Sequence, residues 1–504
     1  MKKFSLLLSI ICLLLFFGCA MIAVQKRGYD YSKIEKPGRA AHKRVEKFIN
    51  SCIYKKYPVE IPPKTRIEKV IVDKKLKHID IYLDRFFSFI PFRQKNTSLI
   101  YDVMKKKLGW RFRKYSLTIY SLNKPIEELI PNYFRKDEEK YDWSRIPKEE
   151  KRPETIVKNI NKPWHPENGL YNRNIAIWHS HGWYYNNKKN RWEWQRPRLF
   201  QTVEDLLPMS FIIPFIVPML ENAGANVFLP RERDIQTNEV IVDNDSLSCK
   251  DSYIEIFSDS SNIWHTGESS GFAPGNQPYT IGVNPFKLGT YRFIDSDTIE
   301  SASVEWIPEI PETGYYAVYI SYFHDENNVT DAHYTIYHTA GKTEFQVNQQ
   351  IGGNTWIYLG EFKFRAGKNP DIGKVVLSNK SSEVGKIVTA DAVRFGGGMG
   401  NVERNRSTSG RPKFVEASRY YLQYAGMPDT LVYSFNGDSN DYKDDYQCRG
   451  EWVNYLRGRP FGPNKDRDVK GLGIPIDLSL AFHTDAGITY NDTTVGTLSI
   501  YSIE

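Results

Sequence analysis

The stretch at residues 175–185, IAIWHSHGWYY, and its continuation at 201–234, QTVEDLLPMSFIIPFIVPMLENAGANVFLPRERD, decide the fold of this 504-residue chain. The apolar run at 175–178 reads as a buried strand. It stops at His179-Ser180-His181-Gly182, so two imidazoles arrive where a strand gives way to a loop. In an α/β sheet that edge is where ligands and catalytic groups gather. Residues two apart on a strand point the same way, so His179 and His181 can face one cavity. Glu204 then precedes a long apolar, helix-like segment reaching Leu220, with Gly224 as its stop. Residues 226–229 give a second short strand. The result is a strand–helix–strand unit with His and Glu at its rim.

Far down the chain, residues 476–485 (IDLSLAFHTD) run apolar into His483, after a helix-like segment at 415–425 that carries Arg419 and an acidic, polar stretch at 440–450. With Ser180-His181-Gly182, Glu204 and residues 220–231, this order resembles the zinc-dependent N-acetylmuramoyl-L-alanine amidases called Amidase 3. The resemblance covers roughly 170–240 and 400–500. It implies a zinc ion on His181, Glu204 and His483, with the fourth position left for water. His179 is then an alternative ligand, a donor that orients Glu204, or a solvent-facing strand-end residue. Trp192 and Trp194, with Trp183, Tyr184 and Tyr185, form a glycan or stem-peptide platform or pack against a neighbouring domain. Arg233, with Arg196, Arg198 and Arg231, meets substrate carboxylates or pairs with Glu204, Asp205 and Asp234. Asp485 completes the expected substrate-side set. The family also carries a proton-moving glutamate on a later strand. The sequence stops at Glu504, just after 496–501, so the catalytic residue is unknown, and metal binding with impaired turnover is the expectation.

Between 245 and 398 the texture changes to short strands with Gly, Asn and Pro turns. Candidates lie at 317–322, 333–338, 343–347, 356–364, 375–378 and 388–395, a spacing that argues a β-sandwich. The runs Trp306-Ile307-Pro308, Gly314 to Tyr319, Gly353 to Gly360 and Ala390 to Phe395 resemble the golvesin C-terminal-like domain, also present in proteins called xanthan lyase. Trp306 and Trp356 read as core or as sugar-stacking residues. His324, His333 and His338 read as ordinary strand residues. An insertion of this kind requires its two ends to lie close together.

Near its start the chain carries Lys3, an apolar run from Leu6 to Phe17 and Gly18-Cys19-Ala20, which reads as an export signal at 1–19. The same residues resemble a lipoprotein box, implying a possible lipid anchor at Cys19. The protein is expected to be exported, to the periplasm or to the outer membrane. Cys52, Cys249 and Cys448 are too widely spaced for a disulfide framework or a zinc site. A net charge of +8 suits an anionic envelope polymer, and no nucleic-acid motif accompanies it. Residues 20–134 read as a small α+β domain and 135–160 as a charged linker. The expected order is therefore multidomain α/β: the small domain, an amidase-like part at 161–244, an all-β sandwich insertion at 245–398, and a second, truncated amidase-like part at 399–504.

Two functions follow. One is zinc-dependent hydrolysis of the amide between N-acetylmuramic acid and L-alanine in peptidoglycan. The other is non-catalytic binding of an envelope polysaccharide or peptidoglycan. A polysaccharide lyase would need a Tyr/His or Lys base that no motif marks, and a zinc carboxypeptidase would need a His-x-x-Glu that neither ligand histidine has.

Overall fold

The computed structural model describes residues 35–55, 59–143, 152–162, 169–196, 198–199, 202–245, 252–258, 262–458 and 468–484. Cys19, Cys249, Asp485 and the stretch 496–501 lie outside the described residues. The chain divides into two compact units, residues 1–150 and 151–504. No helix among the described residues is long and apolar enough to cross a membrane.

The first unit contains α1 (Lys36–Lys55), β1 (Ile67–Asp73), β2 (His78–Leu83), α2 (Gln94–Leu108), β3 (Ser116–Ser121) and β4 (Lys124–Pro125). Its sheet has the order β1-β2-β3-β4, with β2 and β3 parallel and the other pairs antiparallel. A parallel pair cannot be closed by a hairpin, and α2 is the crossover between β2 and β3. Ile79, Ile81 and Leu83 alternate inward along β2 and pack with Phe48, Ile100 and Met104 in a core of this unit's own.

The second unit is mostly β. Its α/β part is a three-stranded parallel sheet in which β5 (Asn174–His179) lies between β6 (Asn226–Phe228) and β7 (Ile476–Phe482). Ile175 pairs with Val227 on one side and Leu478 on the other, and His179 pairs with Phe482 at the far end. A strand with parallel neighbours on both sides is buried on both faces, which explains its unbroken apolar run. The helical run before β6 differs from the single helix expected. It is α-helical at Met209–Phe211, a π-helix at Ile212–Ile216, then α3 (Val217–Asn222). Pro214 lies in the π segment and has no N–H to donate, so the regular ladder cannot pass through it. Gly224, at φ +102°, ends the run as expected, and Ala225 N–H reaches back to Leu220 O at 3.0 Å. Two helices, α4 (Ser418–Tyr424) and α5 (Asp441–Arg457), precede β7.

The β region has a four-stranded sheet of Val240–Val242, Val393–Phe395, Gly314–Ile320 and Ile357–Phe364. A six-stranded sheet contributes Val304, Trp306, Tyr334, Ile336, Val375 and Leu377 to the same core as Val318, Ile320 and Phe395, so the sheets form a sandwich. Val240 pairs with Phe395 and Val242 with Val393, so the entry and exit of this region are hydrogen-bonded neighbours. Two expected boundaries move. Val240–Val242 belongs to the sandwich although it precedes 245, and Val157–Asn159, inside the expected linker, closes the edge of the six-stranded sheet against Phe345–Val347. A charge pattern reports solvation of side chains and is silent about the backbone ladder, which is why the linker reading missed that strand. Nor is the sandwich a separate body: Ala176, Leu422, Trp452 and Ile474 of the α/β part share its core.

Candidate metal centre

His181 lies two residues past the end of β5. Ser180 between them takes a left-handed conformation (φ +61°), which breaks the strand alternation and sends the two imidazoles apart. Gly182 follows because nothing larger fits: a Cβ there would lie 2.6 Å from Ala417 N and 2.7 Å from the carbonyl carbon of Glu416. The loop is tied to that neighbouring segment by Ala417 N–H donating to Trp183 O at 3.0 Å. Arg231, 1% exposed, fastens both together. It donates to the carbonyls of His179, His181, Phe414, Val415 and Glu416.

Glu204 comes from the turn before the helical run, and His483 from the residue after β7. His181, Glu204 and His483 offer one ligand atom each, all within 4.8 Å of one another. His483 Nδ1 is 3.1 Å from Glu204 Oε1, and His181 Nε2 is 3.6 Å from the same oxygen. Ser180 Oγ donates to that oxygen at 2.8 Å. Burial, then the positive charge of Arg449, push the His181 imidazole down to about 3, so it is a neutral donor at physiological pH. Burial acts to raise the Glu204 carboxyl, but hydrogen bonds from His483 and Ser180 outweigh it and hold the group below its ordinary range. A neutral imidazole and an ionised carboxylate are the forms that bind a divalent metal.

A cation already faces these atoms. Arg196 Nε donates to His181 Nε2 at 3.1 Å and lies 3.5 Å from Glu204 Oε2. Its side chain is 37% exposed, so it can swing aside for an ion. The donor chemistry therefore fits a two-histidine, one-carboxylate metal. One feature departs from the usual support of such a histidine: Nδ1 of His181 faces the Arg449 guanidinium at 3.3 Å, where a carboxylate or carbonyl is customary. Arg449 is itself held by Asp445 Oδ2 at 2.9 Å and donates to Ser180 O at 2.8 Å. The Asp445–Arg449 pair had no signal in the sequence beyond an acidic stretch, although its i,i+4 spacing on α5 could have marked it.

The remaining expected site residues lie elsewhere. His179 is fully buried, with no hydrogen-bond partner on either ring nitrogen, and cannot meet a substrate. Arg233 is bidentate on Glu221 (2.7 and 3.0 Å), stacks 3.7 Å over Tyr358 and lines a cavity of about 510 Å³ in which the three ligand residues have no part. Trp192 packs on Tyr185 and Tyr420, and Trp194 meets Trp183 edge-on, so both are absorbed by packing of the hairpin Trp183–Asn186/Arg191–Trp194. Trp306 is core and donates to Asp391 O at 2.9 Å; Trp356 is buried as well.

Comparison with known proteins bears on the sandwich. Residues 285–397 match the golvesin C-terminal domain. A xanthan lyase of Bacillus sp. (strain GL1) is 34% identical over 95 residues, 18% of this chain and 10% of that enzyme. The chain thus spans about a tenth of the curated relative's length. Among solved structures, the Paenibacillus xanthan lyase is 24% identical, with a TM-score of 0.25, over 32% of this chain and 13% of that one. A family 35 carbohydrate binding module from an environmental isolate is 13% identical, with a TM-score of 0.19, over 31% of this chain and 92% of the module. The golvesin-like domain begins and ends inside the region already outlined: its last matched residue, 397, lies just past Val393–Phe395, the strand that returns the chain to the α/β part.

Proposed function

We propose that this is an exported envelope-glycan-binding protein whose golvesin-like domain contributes to polysaccharide or peptidoglycan recognition beside a divalent metal centre. The likeness of residues 285–397 to the golvesin C-terminal domain, with 34% identity to a stretch of an enzyme named for xanthan, carries the glycan part. The basic balance of the sequence suits an anionic polymer.

A second, hydrolytic reading is favoured by one observation: His181, Glu204 and His483 converge at the C-terminal ends of parallel strands with their ligand atoms within 4.8 Å. With zinc bound there, a coordinated water would ionise near pH 7 and a substrate carbonyl would be polarised, which is the chemistry of amide hydrolysis next to muramic acid. This chain's residues supply the rest of the site. His181 presents a neutral nitrogen, Glu204 a negative charge fixed by Ser180, and Arg196 is the movable cation at the mouth.

Sedimentation of purified chain with peptidoglycan sacculi and with xanthan, together with metal analysis and release of stem peptide, tests both. Binding to glycan without peptide release supports the binding reading alone. Chelator-sensitive release adds the hydrolytic one. Absence of binding to any envelope glycan removes the proposal.

A further inference from the structure

The strands Ile387–Ala390 and Val393–Phe395, expected as one, are separated by Asp391 and Ala392. Asp243 follows Val242 directly, and Val242 pairs with Val393. Two aspartates are therefore brought to the same end of the ladder that joins the entry and exit of the golvesin-like region. Both are 1% exposed.

Asp391 is well held: its carboxylate accepts from Phe272 N–H at 3.1 and 3.2 Å and from Ser321 Oγ at 2.6 Å. Asp243 has no such support. Neither of its carboxylate oxygens has a hydrogen-bond partner, although the amides of Asn244 and Asp245 lie near enough to lower its pKa. Asn244 Oδ1 is also buried without a partner, its Nδ2 being used on Thr290 Oγ1 at 3.0 Å. Asp245 adds a third carboxylate nearby, bound to Thr290. Among the described residues no lysine or arginine pairs with Asp243 or Asp391. Arg292, which lines a cavity together with Asn244 and Asp245, is committed to Glu255 at 2.6 and 3.0 Å.

A buried carboxylate with no partner costs several kcal/mol in principle unless it is neutralised by a proton or a cation. The unpartnered atoms here are all oxygen, two from the Asp243 carboxylate and one from the Asn244 amide, and with the Asp391 carboxylate beside them they make an all-oxygen set of the kind calcium takes. We propose that Asp243, Asn244 and Asp391 bind a calcium ion that clamps the two strands by which the chain enters and leaves the golvesin-like domain. The alternative to a cation is protonation: burial, with the charges of Asp391 and Asp245, lifts the Asp243 carboxyl to about 9 in the absence of an ion. Calcium replaces that proton and uses both free oxygens. The site shares no residue with the His/Glu/His cluster.

The test is thermal unfolding and calorimetric titration of the full chain, freed of metal, with calcium or magnesium chloride. A His181→Ala variant is run in parallel so that the first centre cannot contribute. Calcium is expected to bind with one-to-one stoichiometry and to raise the melting temperature in both proteins. Asp243→Asn is expected to lose that rise while melting, in chelator, no lower than the wild type, since it removes a buried acid without changing its shape. Asn244→Ala, which keeps both carboxylates, serves if Asp243→Asn does not fold, and is expected to need more calcium for the same rise. Equal melting of the wild type in calcium and in chelator, with no heat of binding, overturns the proposal and means that Asp243 is held as a neutral acid. A calcium response retained in full by both Asp243→Asn and Asn244→Ala also overturns it.

Discussion

Three side chains and one glycine carry the candidate centre, and each makes a prediction of its own. His181→Ala and Glu204→Gln are expected to reduce bound zinc from about one per chain to near zero, since each removes one of three ligands, with far-UV circular dichroism unchanged. Gly182→Ala acts differently. Its Cβ would meet backbone at 2.6 Å, which has no side-chain freedom to yield, so about 2 kcal/mol or more of stability is lost in a denaturant titration. Glu416 provides a pH test. Burial raises its carboxyl from 4.5 to about 7, so the folded chain holds a proton that the unfolded chain has released. The associated stability is present in full below about pH 4.5 and is lost as pH rises to about 7. The span corresponds to about 3 kcal/mol at most. Glu416→Gln is expected to flatten that part of the stability–pH curve; an unchanged slope would show that Glu416 does not cause it. The meeting of His181, Glu204 and His483 was legible in the sequence because each sits at the boundary of an apolar element, the two histidines after a strand and Glu204 before the helical run. His179 was misjudged because alternation assumes an extended backbone, and Ser180 at φ +61° does not supply one. Arg231 was read as meeting substrate carboxylates or pairing with an acid, since bonds to five backbone carbonyls leave no trace in residue type.

Elements were read more reliably where burial alone sets their pattern. β5, buried on both faces, falls on the apolar run that announces it, and the golvesin-like strands at Ala332–His338 and Gly341–Val347 fall close to the alternating segments expected at 333–338 and 343–347. Where a proline or a buried acid intervenes, the pattern fails. Pro214 turns one expected helix into a π segment, and Asp391 divides one expected strand into two. The aromatic hairpin shows a further limit, because composition cannot tell a sugar platform from a packed face. Trp192 lies 4.9 Å from Tyr420 and 5.6 Å from Tyr185, ring centroid to centroid. Trp192→Ala is therefore expected to act through stability, lowering it by about 2–4 kcal/mol given that the ring is only partly buried. The affinity of the remaining folded protein for sacculi or xanthan should not change. A loss of affinity at unchanged melting temperature would restore the ring to the binding surface.

At the scale of the whole molecule, the chain is two compact units, the first with a core closed on itself. Residues 35–143 expressed alone are expected to unfold cooperatively; a non-cooperative melt would show that this core does not suffice. The second unit joins a small parallel sheet to a golvesin-like sandwich through one shared core. Sequence texture located the change from one to the other, but it could not show that Ala176, Leu422, Trp452 and Ile474 close the sandwich from the α/β side. That sharing packs the strand that leads to His181 and the strand that leads to His483 against the sandwich core. The central claim is that this body holds one divalent metal on His181, Glu204 and His483. Zinc X-ray absorption on the reconstituted full chain, with metal content measured in parallel, tests it most directly. The account predicts one zinc per chain with two imidazole nitrogens and carboxylate oxygen at about 2.0–2.2 Å, lost in His181→Ala and His483→Ala. Substoichiometric zinc, or zinc retained at full occupancy in both variants, would contradict it.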